Sequence, residues 1–217
     1  MIGGTSVKAF PVPPLPSLAE MAEGTLVKMN ESGAPVEFYV AKHDYESELN
    51  GAGRTLVVRK DMYDQRQWNS SNVNTWESCT LREWLNGDYK GILDIGIQQL
   101  IATTTYRYTT GGSNMTVTTR ADAVFQLSLT ELGKSHAYAY VEGSALPIAS
   151  ALQIAYQGGS ATTQWTRSPY AGNTSYVWRL DSNGDIDYYG CTNTRGSRPC
   201  FTLPSTVLVD EAMNIVA

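Results

Sequence analysis

Between residues 165 and 203 two kinds of residue are interleaved, and this limits that part of the chain to short strands joined by tight turns. One set is architectural: Trp165, Arg167, Ser168, Pro169, Val177, Trp178, Leu180, Ile186, Gly196, Arg198, Pro199 and Phe201. Residues 177–180 and 185–189 read as strands. Ser182-Asn183-Gly184 joins them, because Asn-Gly accepts the positive φ of a tight hairpin turn. The second set is small, polar or aromatic: Tyr170, Asn173, Thr174, Ser175, Tyr176, Arg179, Asp181, Asp185, Asp187, Tyr188, Tyr189, Thr192, Asn193, Thr194 and Arg195. It falls where such strands and loops face solvent.

That second set has a narrow vocabulary. Lys, Glu, Gln and Met supply 31 of the 217 residues, so an even spread would place about five of them in residues 168–201. None occurs there. Every residue of the exposed set is reachable from an AAC or AAT codon when its two adenines are randomised, whereas Lys, Glu, Gln, Met and Trp are not. Tyr, Ser, Asn, Asp, Gly and Arg are also prominent in antibody binding loops, where Tyr supplies contact area at low entropy cost.

The ordered motifs W-x-R-S-P (165–169), V-W-x-L-x-S-N-G (177–184) and G-x-R-P-x-F (196–201) resemble the C-terminal part of an uncharacterised domain family common in bacterial prophages. G-x-x-V-K-M (24–29), V-E-F-x-V (36–40) and L-V-V-R-K-D (56–61) resemble its opening strands. The resemblance implies an α+β, C-type-lectin-like fold related to that of formylglycine-generating enzyme. Such a fold has twisted antiparallel sheets, two main helices and long C-terminal display loops. Some members resemble the variable proteins of diversity-generating retroelements, whose ligand-binding positions are mutagenised at template adenines.

Length fits one domain, residues 25–217, behind a proline-rich arm, residues 1–24, in which Phe10-Pro-Val-Pro-Pro-Leu-Pro16 favours polyproline II. A hydrophobic fraction of 42% suffices for a packed core, and a net charge of −5 lacks the basic face that nucleic acid needs. No apolar run reaches 18 residues, so no membrane insertion is expected. The first sixteen residues also lack the apolar core of a signal peptide.

In chain order, residues 25–29, 35–41 and 55–59 alternate as strands, the first two joined by a turn at Asn30-Glu-Ser-Gly33. Residues 61–74 read as a polar connection. A helix capped by Asn74 or Thr75 then carries Trp76, Cys79, Thr80, Glu83 and Trp84, and stops at Asn86-Gly87. A second helix covers residues 90–101. Residues 102–109 and 124–129 read as strands, residues 148–156 as a helix, and residues 201–204 and 207–210 as closing strands.

Chemistry-bearing motifs are scarce. Cys79, Cys191 and Cys200 form no CxxC pair and are expected as thiols, with Cys79 in a helical core. His43 and His136 have no partner motif. The run from Asp181 to Asp187 lacks the DxDxDG order and the bidentate glutamate of a calcium loop. A formylglycine-generating oxidase would need two reactive cysteines closer together than Cys191 and Cys200. No cofactor and no metal is expected.

The scarcity of such motifs leads to a non-enzymatic expectation, and the resemblance implies a phage or prophage receptor-binding protein of the tail tip. Its binding face is Tyr170, Asn173, Thr174, Ser175, Tyr176, Arg179, Asp181, Asp185, Asp187, Tyr188, Tyr189, Thr192, Asn193 and Arg195. The resemblance implies a host cell-surface protein or glycan as partner, other tail proteins as neighbours, and a homo-oligomer, tail fibres being commonly trimers. The location implied is the virion, assembled in the bacterial cytoplasm, or else the bacterial cell surface. The alternatives are a fixed carbohydrate-binding or baseplate protein, and the oxidase.

Overall fold

The computed structural model describes residues 13–217. Glu31 pairs with Ala34 across Ser32 and Gly33, both left-handed, so the first hairpin forms where the turn residues place it. Along the first half of the chain run β1 (Leu26–Glu31), β2 (Ala34–Lys42), β3 (Arg54–Arg59), β4 (Asp64–Gln67), β5 (Thr104–Thr109), β6 (Val117–Asp122) and β7 (Val124–Phe125). The second half supplies β8 (Ala155–Gln157), β9 (Ser160–Thr162), β10 (Gln164–Pro169), β11 (Tyr176–Leu180) and β12 (Ile186–Gly190). It closes with β13 (Thr194–Ser197), β14 (Cys200–Pro204), β15 (Leu208–Val209) and β16 (Ile215–Val216).

Two five-stranded sheets dominate, ordered β1-β2-β3-β14-β7 and β12-β11-β10-β13-β4. Pairing is antiparallel except between β10 and β13. Helices are few and short. The fold is α+β, mostly β.

Two buried arginines join the sheets, and they are the arginines of the W-x-R-S-P and G-x-R-P-x-F motifs. Arg167 donates to the Gln126 carbonyl at 2.8 Å and twice to the Arg107 carbonyl at 2.8 and 3.1 Å, and it pairs with Glu131 at 2.6 Å. Those contacts fix residues 126–129, which leave the first sheet and run beside β10, the Arg167 amide donating to Leu127. Arg198 donates to the carbonyls of Arg59, Lys60 and Leu152. It thereby ties together the segments β3–β4 and β13–β14, the two places where consecutive strands belong to different five-stranded sheets. Arg198 makes no ion pair among the described residues, and burial pulls its guanidinium down to about 10.

Around these joints pack Trp68, Trp76, Trp165, Trp178, Phe38, Phe125 and Phe201, each no more than 1% exposed. Burying one such side chain stabilises by roughly 1.5–3 kcal/mol. The residues expected to be architectural, Trp165, Arg167, Trp178 and Arg198, are core.

Several expectations are corrected. The connection 61–74 contains β4 and buries Trp68, Asn69 and Asn74; β4 is a polar edge strand and so carries no hydrophobic period. Helical structure does not stop at Asn86-Gly87. It runs through Thr80–Trp84, a π turn at Leu85–Tyr89 and Lys90–Ile92, and breaks at Leu93, whose ψ is 148°. The Asn86 side chain accepts from the Ala123 and Val124 amides and donates to the Val124 and Arg82 carbonyls, an anchor to β7 in place of a stop. The second helix shrinks to Ile95–Leu100. Cys79 caps a helix from outside it, its sulfur accepting from the Arg82 amide.

Residues 148–156 hold only Ala149–Leu152 as helix. Gly158 and Gly159, at φ 57° and 82°, form a hairpin turn that draws Ala155–Gln157 into β8. Of residues 124–129 only β7 is strand, though all six are buried. The arm reading falls partly on residues 1–12, which lie outside the described residues. Leu18 is fully buried and its amide donates to Val207, so residues 17–21 belong to the packed domain. No helix is long and apolar enough to cross a membrane among the described residues.

Candidate ligand-binding hairpin

The hairpin β11–β12 stands at the edge of the second sheet, and Asp181 shapes its turn. The Asp181 carboxylate accepts the amides of Asn183 and Asp185, while Gly184 takes φ 82°. The register pairs Tyr176 with Gly190, Val177 with Tyr189, Trp178 with Tyr188 and Arg179 with Asp187. Successive strand residues point to opposite faces, so the expected single binding face is divided between two.

One face is aromatic. Tyr170 stacks on Tyr188 with centroids 4.3 Å apart and planes at 20°, and Tyr176 follows at 5.6 Å. Trp178 meets Tyr170 and Tyr188 edge-on from the core. The other face is cationic around Tyr189. The Arg179 and Arg195 guanidinium carbons lie 4.7 and 4.4 Å from the Tyr189 centroid, within cation–π range. Arg179 pairs with Asp187 across the strands. Tyr188 and Tyr189 are 41% and 39% exposed, the tips that a partner would reach first. A shallow concavity of about 510 Å³ lies here, bounded by Tyr176, Arg179, Asp187, Tyr188, Tyr189, Gly190 and Asn193.

Not every expected site residue joins this cluster. Asp181 and Asp185 sit at the hairpin tip, four residues or about 13 Å along the strand from Tyr189. Asn173 spends its side chain on the Ser175 amide and hydroxyl, a local turn. The Thr174 carbonyl accepts the Asn74 amide, and the Thr192 carbonyl accepts from Gln67. Asn193 stays at the root, donating to Gly190.

Two contributors escaped the sequence reading. Asn74, read as a helix cap, is fully buried beneath the 170–176 loop. Its Nδ2 donates to the carbonyls of Tyr170, Asn173 and Tyr176 at 3.3, 3.0 and 2.7 Å, and its Oδ1 accepts the Gly112 amide at 2.9 Å. The other is the loop bearing His136, Tyr138 and Tyr140. Tyr138 lies 5.4 Å from Tyr170, and His136 4.8 Å from Trp178. Tyr138, Tyr140 and Val141 are 50%, 42% and 70% exposed, so this loop extends the aromatic face. The repeated tyrosines of Ser-His-Ala-Tyr-Ala-Tyr were the available signal.

Behind the hairpin lies a second buried carboxylate. Glu142 accepts the Thr109 amide at 2.6 Å and the Ser168 hydroxyl, which accounts for the serine of W-x-R-S-P. Burial raises its pKa despite the nearby Arg167. A raised carboxyl binds more protons folded than unfolded. Its destabilising effect is absent below the unfolded value near 4.5 and grows as pH rises toward the folded value. Glu142→Gln is therefore expected to remove a fall in denaturation midpoint with rising pH above about 4.5. Urea melts across pH 4–8 check this, and parallel pH profiles would count against it.

The thiols are chemically quiet. Cys191 and Cys200 are buried in different parts of the fold, with sulfurs on the Ser71 and Phe125 carbonyls. Burial pushes both thiols up, opposite to the shift that makes a reactive thiolate.

An α+β architecture of antiparallel sheets that presents an aromatic and cationic edge hairpin is thus the class of protein described. Residues 52–205 match a domain of unknown function, DUF6273, and the chain belongs to that family. No curated protein and no solved structure matches the chain.

Proposed function

We propose that this protein is a non-enzymatic receptor-binding module of a phage or prophage tail, with a C-type-lectin-like fold, and that the β11–β12 hairpin is its contact surface. One observation carries the reading: exposed tyrosines and an arginine stand on a hairpin whose inner side is rigidly packed. Tyr and Arg dominate the energetics of protein interfaces. A fixed scaffold with variable tips is also how binding loops are generally displayed. The narrow vocabulary of residues 168–201 supports diversification by a retroelement, confined to tips that no turn or ladder requires: Tyr170, Tyr176, Tyr188, Tyr189, Asn193 and Arg195. Copies on one tail raise avidity, so a weak single site suffices.

The labelled protein is expected to bind whole cells of the bacterium that carries its gene. Tyr188→Ala and Tyr189→Ala are each expected to weaken binding about tenfold or more, with the melting temperature unchanged. Equal losses of stability and binding would show that the tyrosines serve only the fold. Deep sequencing of the gene through a growing population tests diversification, with substitutions expected at adenine-bearing codons of the tips.

A further inference from the structure

The root of this hairpin carries a positive charge that nothing in the fold uses. Arg179 is matched by Asp187. Arg195 has no carboxylate within ion-pair distance among the described residues; its only polar contact there is to the neighbouring Thr194 carbonyl. Its guanidinium is nonetheless positioned, the central carbon 4.4 Å from the Tyr189 ring centroid. Asp181 and Asp185 do not neutralise it. They sit at the hairpin tip, about 13 Å along the strand from the Tyr189 that Arg195 contacts. The hairpin is acidic at its tip and basic at its root, on a chain of net charge −5.

Arg195 does not line the concavity but contacts the Tyr189 ring that does, and the two together combine three chemistries. Tyr188 and Tyr189 offer the exposed part of their rings, 41% and 39% of each residue. Asp187 and Asn193 offer planar hydrogen-bonding groups, Asp187 being 45% exposed in its side chain. Arg195 offers a fork of donors matched to a carboxylate or phosphate. A saccharide ring presents one apolar C–H face and a rim of hydroxyls, and so fits aromatic faces bordered by amide and carboxylate. A volume of about 510 Å³ lies within the 300–1,000 Å³ range of small-molecule sites.

Resting on the receptor-binding reading, we propose that the hairpin root is a subsite for an anionic saccharide. A sugar ring packs against the exposed part of Tyr188 or Tyr189, and its carboxylate or phosphate is taken by Arg195. An acidic peptide would use the arginine but leave the hydroxyl-matching groups idle, so the combination favours a glycan.

The test uses the full chain and three sets of oligosaccharides: uronate- or sialate-bearing, phosphosugar-bearing, and neutral counterparts of each. Affinities come from titration calorimetry at low and physiological salt. Binding to one anionic set, about tenfold or more tighter than to its neutral counterpart, is expected, and the set that binds identifies carboxylate or phosphate. Arg195→Gln is expected to erase that preference with an unchanged melting temperature. Arg195→Lys is expected to recover it only partly, because an ammonium has no planar fork. No binding by either anionic set overturns the proposal. So does equal binding of the neutral sugars, an unchanged preference in Arg195→Gln, or binding of a poly-glutamate peptide with none of the sugars. In each of those cases, cell binding that still depends on Tyr188 would leave the broader reading standing.

Discussion

Arg167→Met is expected to lower the melting temperature by about 6–20 °C. Arg167 is fully buried and, among the described residues, is the only positive charge bonded to Glu131, itself 1% exposed. Glu131 also accepts the Tyr45 hydroxyl at 2.5 Å and the Ser128 amide at 2.8 Å, so it is locked in place when the arginine goes. Removing one partner of a buried pair costs about 3–5 kcal/mol, because the remaining charge is uncompensated. For a chain of this size each kcal/mol shifts the midpoint by about 2–4 °C. Methionine fills much of the volume, so the loss reports electrostatics more than cavity formation. The double variant Arg167→Met with Glu131→Gln separates the two: it is expected to regain part of the loss. Arg167→Lys is expected to fall between, since one ammonium cannot serve carbonyls on two segments and a carboxylate together. Calorimetry of the four proteins decides. A midpoint for Arg167→Met within about 2 °C of the parent would remove Arg167 from its role as the joint between sheets.

That joint explains which parts of the fold were legible in the sequence. Strands with alternating or continuous apolar residues were visible: β1, β2, β3, β5, β11 and β14 lie within a residue or two of the expected ranges. The β11–β12 turn was visible because Asn-Gly and Asp181 act locally. What stayed hidden depends on partners distant in sequence. β4 has polar residues on both faces and is recognisable only through its pairing with β13. Asn86-Gly87 carries a local stop signal, yet its asparagine bonds β7, 37 and 38 residues onward. The scaffold character of Arg167 and Arg198 could be read from their apolar surroundings, but not the carbonyls they bind, which lie 41 to 139 residues away. At the site, the vocabulary of residues 168–201 located the hairpin. The division into two faces followed only from the register, and His136 and Tyr138 joined only through packing.

Asn74 is where fold and site meet, and Asn74→Asp is expected to do more damage than Asn74→Ala. Its amide nitrogen faces three carbonyl oxygens, those of Tyr170, Asn173 and Tyr176. Alanine removes the second donor to each of these carbonyls, which keep the Asn173, Tyr176 and Tyr170 amides, and strips the Gly112 amide of its acceptor, a loss of about 1–3 kcal/mol at a buried position. Aspartate keeps the acceptor for Gly112 but sets an anionic oxygen against three others. The aspartate variant is therefore expected to melt lowest at neutral pH and to recover toward the alanine variant as acid protonates the carboxyl. Gly111→Ala strikes the same clamp from the other side. Gly111 is left-handed at φ 78°, and a Cβ there would lie 2.0 Å from the Asn74 carbonyl oxygen. All three substitutions release the 170–176 loop, so Tyr170 no longer stacks on Tyr188. The near-ultraviolet circular dichroism of the tyrosines is thus expected to fall below the global melting temperature, and cell binding to fall with it. If these variants kept the aromatic signal and bound cells as the parent does, the tyrosine stack would owe its order to Trp178 alone, and Asn74 would be a core residue with no part in display.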